Sequence, residues 1–196
     1  ATSSDQSVLL WDLARPLSGK AVFAAPTNAK QAEALWDKLG DPDPTESDRA
    51  LWALVKAPAP ALPMLKECLK PVPMPDAKLV QALVKKLDSG NFAERDAAQK
   101  ELRGMTPAVL PLLREARKGA TVEQSRRLDE VIADLQARLE SPDAIRAHLR
   151  ELRALEVLER IGSPEARKLI EAMAGGADAI FTYEAKLILT RWQKSH

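Results

Sequence analysis

Helix-start signals recur at short intervals along this chain, and they constrain its fold more than any other feature. At each of them a Ser, Thr, Asp or Asn stands where a helix N-cap accepts hydrogen bonds from free backbone amides. A proline at the first helical position, or a Glu or Gln three residues on, strengthens the signal. The clearest starts are Asp43-Pro44-Thr45-Glu46, Asn91 with Glu94, Thr121 with Gln124, Ser141-Pro142 and Ser163-Pro164.

Glycines lie between these starts, at positions where a helix would end in a left-handed residue. They are Gly40, Gly90, Gly104, Gly119, Gly162 and the pair Gly175-Gly176. Starts and ends together predict about ten helices from residue 27 onward.

The composition agrees with a helical fold. Of the 196 residues 45% are hydrophobic and 29% charged, but only eight are aromatic: four Trp, three Phe and one Tyr. Ala, Leu, Lys, Arg and Glu lose little rotamer freedom in a helix, so an all-α fold is predicted and an all-β fold is nearly excluded.

The charge balance and the single cysteine limit the classes of partner and site. With 29 basic and 28 acidic side chains the formal charge is +1, which implies no long-range electrostatic partner. No stretch approaches the roughly 18 consecutive apolar residues that a membrane span needs, so we expect a soluble chain with no membrane partner. Cys68 cannot form an internal disulfide. A cytoplasmic location is favoured, although the compartment stays open.

Apolar residues at helical spacing predict which faces are buried. One such stripe consists of Leu128, Val131, Ile132, Leu135 and Leu139. A second consists of Ile145, Leu149, Leu152, Leu155 and Leu158. Helices with one apolar face must bury it on neighbours, and short connections predict that sequential helices form antiparallel pairs.

The pairs are predicted to repeat. Segment 48–67, shifted by 48 positions, meets segment 96–115 with seven identities in twenty positions. A fainter third copy appears at a shift of 56, which brings Ala98 onto Ala154 and Leu102 onto Leu158. Self-similarity at such a period is the sequence signature of repeat architectures.

The beginning of the chain differs from the rest. Residues 7–11 form a short apolar run that predicts a β-strand, and the string Ser4 to Leu13 resembles the end of a WD repeat. In this resemblance Asp5 is the turn residue and Trp11-Asp12 the closing dipeptide, which implies a propeller upstream of Ala1. The alternative is a chance Trp-Asp pair in an ordinary N-terminal extension. We therefore expect a terminal propeller strand over 1–14 and a linker over 15–26.

The helical part, residues 27–196, resembles HEAT-like repeats. The resemblance is carried by Ala-x-x-x-Leu in a first helix and Leu-Pro-x-Leu-Lys-Glu, as at 62–67, in a second. Together with the Trp-Asp terminus, it is similar to the C-terminal helical region of certain bacterial WD-repeat proteins. The resemblance implies helix pairs stacked in a short solenoid, and the uneven period leaves an irregular bundle open.

Residues suited to catalysis or metal binding are few. His148 is predicted to be a surface residue in mid-helix, and Cys68 a small residue packed among apolar neighbours. Asp41 and Asp43 lack the glycine and the distant glutamate of a calcium loop, so a helix-initiating turn is predicted. The sequence predicts no catalytic residue, no cofactor and no metal.

Two groups of residues bear on binding to macromolecules. The basic cluster Arg114, Arg117, Lys118, Arg126 and Arg127 has acidic neighbours and no interleaved aromatics. No nucleic-acid partner is therefore expected. The tryptophans Trp36, Trp52 and Trp192 are predicted to pack in the core.

The resulting hypothesis is a non-catalytic helical repeat module that serves as a protein–protein interaction scaffold beside a WD-repeat propeller. Its protein partner, its binding face and its oligomeric state stay open. The alternative is a regulatory or accessory helical domain of a larger multidomain enzyme.

Overall fold

A computed structural model describes residues 24–177 and 179–194 and contains helices but no strands in this part of the chain. The ten α-helices are α1 Ala29–Leu39, α2 Pro44–Val55, α3 Pro58–Cys68, α4 Ala77–Lys86, α5 Phe92–Gly104, α6 Leu110–Arg117, α7 Val122–Leu139, α8 Pro142–Ile161, α9 Pro164–Ala174 and α10 Ile180–Lys194. A short 3-10 helix, Pro107–Val109, leads into α6. The prediction of an all-α fold with about ten helices is confirmed over the described residues. The strand predicted around Asp5, Trp11 and Asp12 lies outside them.

The predicted helix starts are confirmed, although most caps are simpler than expected. The side chains of Asp43, Asn91, Thr121, Ser141 and Ser163 all accept a backbone hydrogen bond at the start of a helix. The reciprocal bond of a capping box forms at Thr121 with Gln124. At the start of α5, Glu94 instead accepts a bond from the Ser89 hydroxyl.

The predicted left-handed helix ends are wrong at all but one glycine. Gly162, after α8, has a φ of 63°, and it is the one glycine with positive φ in the described residues. Gly40 and Gly175 end their helices with φ of −86° and −81°. At Gly40 the missing side chain serves close packing, because a Cβ there would lie 3.1 Å from the Cγ of Arg146 on α8.

Two separate clusters of buried apolar residues form the interior. The first core is built from α1, α2, α3, α8, α9 and α10, with fully buried side chains such as Leu54, Leu155 and Ile170. The second core is built from α4, α5, α6 and α7 around Leu102 and Leu128. The second core is therefore inserted in sequence between the two parts of the first.

The 48-residue repeat extends over more of the chain than segment 48–67. The same shift places α1 on α4 and α2 on α5, and it places α3 on the 3-10 helix with α6. Six of the eleven residues of α1 recur in segment 77–87, an identity that the sequence analysis missed. The paired leucines Leu39 and Leu87, Leu54 and Leu102, and Leu65 and Leu113 are all completely buried. The repeating unit is thus three helices, 29–68 and 77–117, with matching buried positions.

The connector between the two units is anchored on the first core. Residues 69–76 contain three prolines, and the carbonyl of Val72 accepts a hydrogen bond of 2.8 Å from the backbone N–H of Ala177. Gly176 packs so tightly there that a Cβ would lie 2.8 Å from the Val72 nitrogen. The segment Gly176-Ala177, which follows α9, therefore holds the connector in place. The segment Pro60-Ala61-Leu62-Pro63 lies within α3.

Candidate functional site

A groove of about 590 Å³ lies between α8 and α10. The α8–α10 groove is lined by Leu152, Arg153, Glu156, Glu159, Arg160, Ile180, Glu184, Ile188 and Arg191. α9 connects α8 to α10 and packs against both, and an ion pair between Glu159 and Arg191 joins their last turns. The two helices therefore run in the same direction on either side of the groove.

The half of the groove near the helix C-termini is organised by ion pairs. Arg191 donates to both carboxylate oxygens of Glu159, at 2.7 and 2.9 Å, and to Glu184 at 2.9 Å. These carboxylates hold the pKa of Arg191 above its ordinary value, first through the hydrogen bond to Glu159. Arg160 pairs with Glu156 at 2.6 Å. Such half-exposed pairs add little stability, but they fix where the charges lie.

Arg153 turns away from these carboxylates. Its guanidinium donates to the carbonyls of Leu39, at 2.6 Å, and Asp41, at 3.2 Å, at the end of α1. A cation is favourable at a helix C-terminus because the last carbonyls carry partial negative charge. Arg153 thereby secures α1 to α8.

Near their N-terminal ends, α8 and α10 carry exposed apolar side chains, of which Ile180 lines the groove. Ile180 and Tyr183 on the first turn of α10 are 67% and 59% exposed, and Ile145 and Leu149 on α8 are 49% and 38% exposed. Large apolar side chains that stay exposed on neighbouring helices are candidates for an interaction site. The N-terminal ends of α8 and α10 are therefore the first candidate for binding.

The exposure of Ile145 and Leu149 corrects the prediction that the whole α8 stripe is buried. Leu155 and Leu158 at its far end are indeed completely buried. Near the start of α8, however, the end of α1 packs against the adjacent row of arginines: the Arg146 side chain lies beside Gly40, and Arg150 lies 5.0 Å from the Trp36 ring centre. Because α1 packs on the row with Arg146 and Arg150, the neighbouring row with Ile145 and Leu149 stays exposed.

Trp52 also differs from its prediction. Trp36 and Trp192 pack against the first core as predicted, but Trp52 is 40% exposed. The Arg160 guanidinium lies 4.5 Å from its ring centre. Trp52 therefore contacts Arg160, which lines the α8–α10 groove.

The basic cluster predicted on α6 and α7 is largely paired with carboxylates. Arg117 bonds Asp129 at 2.8 Å, and Lys118 bonds Glu115 at 2.5 Å. Arg126 and Arg127 both donate to Glu123, which lowers the pKa of Glu123 to about 2. The acidic neighbours noted in the sequence thus cancel most of this charge.

Arg127 and Gln99 form a buried polar contact between α5 and α7. Both residues are 5% exposed, and Arg127 donates to the Gln99 amide oxygen at 2.5 Å. The Gln99 amide nitrogen donates to Glu130 at 2.7 Å. Because a buried polar group is costly without partners, this network fixes how α7 packs on α5. Its role is structural.

Residues weighed for metal binding or catalysis do not come together. Over residues 24–177 and 179–194, no three His, Cys, Asp or Glu side chains are grouped so as to hold a metal ion. Asp43 caps α2, and Asp41 accepts a bond from the Asp43 backbone, which lowers the pKa of Asp41. Cys68 is half-buried in the first core, and burial raises the pKa of its thiol. His148 is half-buried on α8.

A second groove, of about 390 Å³, lies between α4, α6 and the start of α7. Its lining includes Val80, Val84, Leu112 and the small residues Ala116 and Gly119. This second groove lies beside the second core, whereas the α8–α10 groove lies beside the first.

Apolar periodicity alone does not reveal the α8–α10 groove, because it predicts every apolar stripe to be buried. The available signal was Ile180-x-x-Tyr183 at the start of α10, an apolar and aromatic pair on the side of the helix away from the buried Phe181 and Ala185.

Comparisons with known proteins identified no relative of this chain. No protein-family model, no curated protein and no solved structure matches the chain. In the described residues, no helix is both long enough and apolar enough to cross a bilayer.

Proposed function

We propose that this chain is a non-catalytic, HEAT-like helical repeat module that binds a protein partner on the α8–α10 face and belongs to a WD-repeat propeller protein. The observation that carries the binding proposal is the exposure of four large side chains, Ile145, Leu149, Ile180 and Tyr183, on the two helices that line a groove with paired charges. Desolvating a few such side chains supplies most of the binding energy in protein interfaces.

The helical repeat supports the scaffold part of the proposal. Two three-helix units with matching buried leucines give a rigid frame that presents surface side chains at fixed positions. Repeat proteins use their stacked helices in this way to offer extended binding faces. Binding then depends on packing and desolvation, with no bond made or broken.

Site-specific photo-crosslinking in the cells that naturally express the protein tests the binding proposal. A benzophenone amino acid in place of Tyr183 should capture a protein partner, and the additional substitution Ile180→Asp should abolish this capture. The matched control carries the crosslinker in place of Val122, which is 90% exposed on α7 next to the second core. Equal capture from positions 183 and 122, or capture that survives Ile180→Asp, would contradict the proposal.

The propeller part has its own test. The gene upstream of Ala1 should encode repeated blades that end in Trp-Asp. A kinase or hydrolase signature directly upstream would instead favour an accessory domain of an enzyme.

A further inference from the structure

The helices of the two cores are joined by little besides the chain itself. Among the described helices, α7 and α8 are the only pair from different cores in more than marginal contact, and they are consecutive in sequence. α7 makes its hydrogen bonds to other helices inside the second core, for example from Gln124 to the Val84 carbonyl on α4. Groups of helices that share so small an interface are expected to move relative to each other.

The chain passes between the cores at two places, and one of them is the bend between α7 and α8. Glu140 has helical backbone angles, with φ −88° and ψ −3°, whereas Ser141 is extended, with φ −63° and ψ 144°. Ser141 is therefore the residue at which the chain leaves the helical conformation. Because Pro142 follows it, the α region is sterically disfavoured for Ser141, and the bend is maintained. Rotation about the ψ angle of Ser141 changes the direction in which α8 leaves α7.

The other passage is the connector, residues 69–76. Its first half is fixed to the first core through the carbonyl of Val72. Beyond Val72, Pro73 and Pro75 restrict the residues before them to extended conformations. Asp76 then caps α4. The stretch from Val72 to Asp76 is thus a stiff spacer, about 12 Å long at the rise of a polyproline helix.

A stiff spacer and a bend at one residue leave one main motion. Two connections at separate points permit rotation about the line that joins them and resist sliding and twisting. We infer that the helices of the second core swing as a rigid body against those of the first, about an axis through Ser141 and the connector. The inference goes beyond the proposed function and does not depend on it, because the proposed binding face lies on α8 and α10, both helices of the first core.

A swing of this kind leaves both cores intact. The completely buried leucines of each core, such as Leu54 and Leu102, belong to clusters made by helices of one core only. The motion therefore exposes no buried apolar surface, which is the main source of stability that a larger rearrangement would lose. Each core keeps its own surface side chains at fixed positions, and only the angle between the two cores varies.

Distances between pairs of spin labels test the swing in the full 196-residue chain. In a Cys68→Ala background, which introduces the residue type of the equivalent Ala116, cysteines replace exposed lysines and carry the labels. One pair, at Lys168 on α9 and Lys100 on α5, spans the two cores. The control pair, at Lys168 and Lys30 on α1, lies within the first core. Pulsed electron double resonance should give a distance distribution roughly twice as wide for the spanning pair as for the control pair.

Pro142→Ala tests whether Ser141 is the pivot. Without the proline ring Ser141 can adopt helical backbone angles, so α7 can continue toward α8 and the mean distance of the spanning pair should shift. Pro164→Ala is the matched control, because Pro164 follows the capping residue Ser163 in the same way but lies between two helices of the first core. It should leave both distances unchanged, and circular dichroism should show both variants folded.

Equal widths for the two label pairs would overturn the inference, because the two cores would then form one rigid body. An unchanged spanning distance in Pro142→Ala would reject Ser141 as the pivot. The comparison of widths needs no substitution at the bend, so it decides the question even if Pro142→Ala fails to fold. Crosslinking from position 183 is a separate measurement, and failure of the swing is thereby distinguished from failure of the proposed binding face.

Discussion

The two three-helix units, 29–68 and 77–117, share a sequence repeat and the same buried leucines but are covered by different partners. In the first unit, α8, α9 and α10 cover the helices, and the core includes Phe181 with Trp36 and Trp192 at its edge. In the second unit, α7 alone closes a four-helix arrangement. The repeat therefore sets how three helices pack, and residues outside the repeat decide what completes each core.

One pair of equivalent residues explains much of this difference. Leu51 in α2 and Gln99 in α5 occupy the same position at the 48-residue shift, and both are buried, at 2% and 5% exposure. Leu51 needs only apolar neighbours, whereas Gln99 needs hydrogen-bonding partners and finds them in Arg127 and Glu130 on α7. A buried polar residue can thus select which helix covers a repeat unit, an effect known for some helical assemblies.

Removing a buried leucine from either core should have a strong effect on stability and tests whether the two cores are separate. Leu54→Ala and Leu102→Ala each remove a completely buried leucine at equivalent positions, and each should cost about 2–5 kcal/mol. No tryptophan lies in segment 77–139, so tryptophan fluorescence follows the first core, and circular dichroism follows both. In a Trp11→Phe background, Leu54→Ala should lower the urea midpoint of unfolding that is measured by tryptophan fluorescence.

The equivalent substitution in the second core, Leu102→Ala, should lower the urea midpoint of a transition measured by circular dichroism. It should leave the midpoint measured by tryptophan fluorescence nearly unchanged. If both substitutions move the fluorescence midpoint equally, the two cores unfold as one unit and the comparison fails.

A smaller effect concerns the buried polar contact. Arg127→Leu leaves the Gln99 amide oxygen without its donor and should destabilise the second core by about 2 kcal/mol, measured by urea unfolding. Adding Gln99→Leu, which restores the residue type of Leu51, should recover most of the loss, since replacing both partners by apolar groups is nearly neutral. Additive losses in the double variant would show that the pair does not act as a unit.

The anchoring of the connector should have an effect of about 1 kcal/mol. Gly176→Ala places a Cβ against the Val72 backbone, so residues 69–76 must shift and the urea midpoint of the first core should fall. Gly90→Ala is the matched control, because a Cβ there has no atom within 4 Å. An unchanged urea midpoint for Gly176→Ala would show that residues 69–76 can shift without loss of stability.

The smallest effect is a dependence of stability on pH in the second core. Hydrogen bonds from Arg126 and Arg127 lower the pKa of Glu123 to about 2, below its ordinary 4.5. The contribution of Glu123 to the stability of the second core is therefore present above pH 4.5 and is lost as the pH falls toward 2. Glu123→Gln should flatten the decline of the circular dichroism midpoint between pH 5 and pH 2, and an NMR titration of the Glu123 carboxyl should give a midpoint near 2.

Sequence reasoning succeeded where the signal was local. Helix starts at Asp43, Thr121 and Ser163 depend on a side chain and the amides two or three residues on, so the sequence alone places them. Buried leucines such as Leu54 and Leu102 follow from the repeat. The α8–α10 groove could not be predicted in the same way, because an apolar residue at helical spacing looks identical whether its face is covered or open.

The helices, their N-caps and the spacing of the buried leucines can be read from the amino acids alone, because they depend on interactions within a few residues and on a regular apolar period. That α8 joins the first core and α7 the second, and that Ile145, Leu149, Ile180 and Tyr183 stay exposed, depends on how the helices pack on one another. A helix surface has several rows of side chains, and the neighbouring helices determine which row contacts protein and which contacts water.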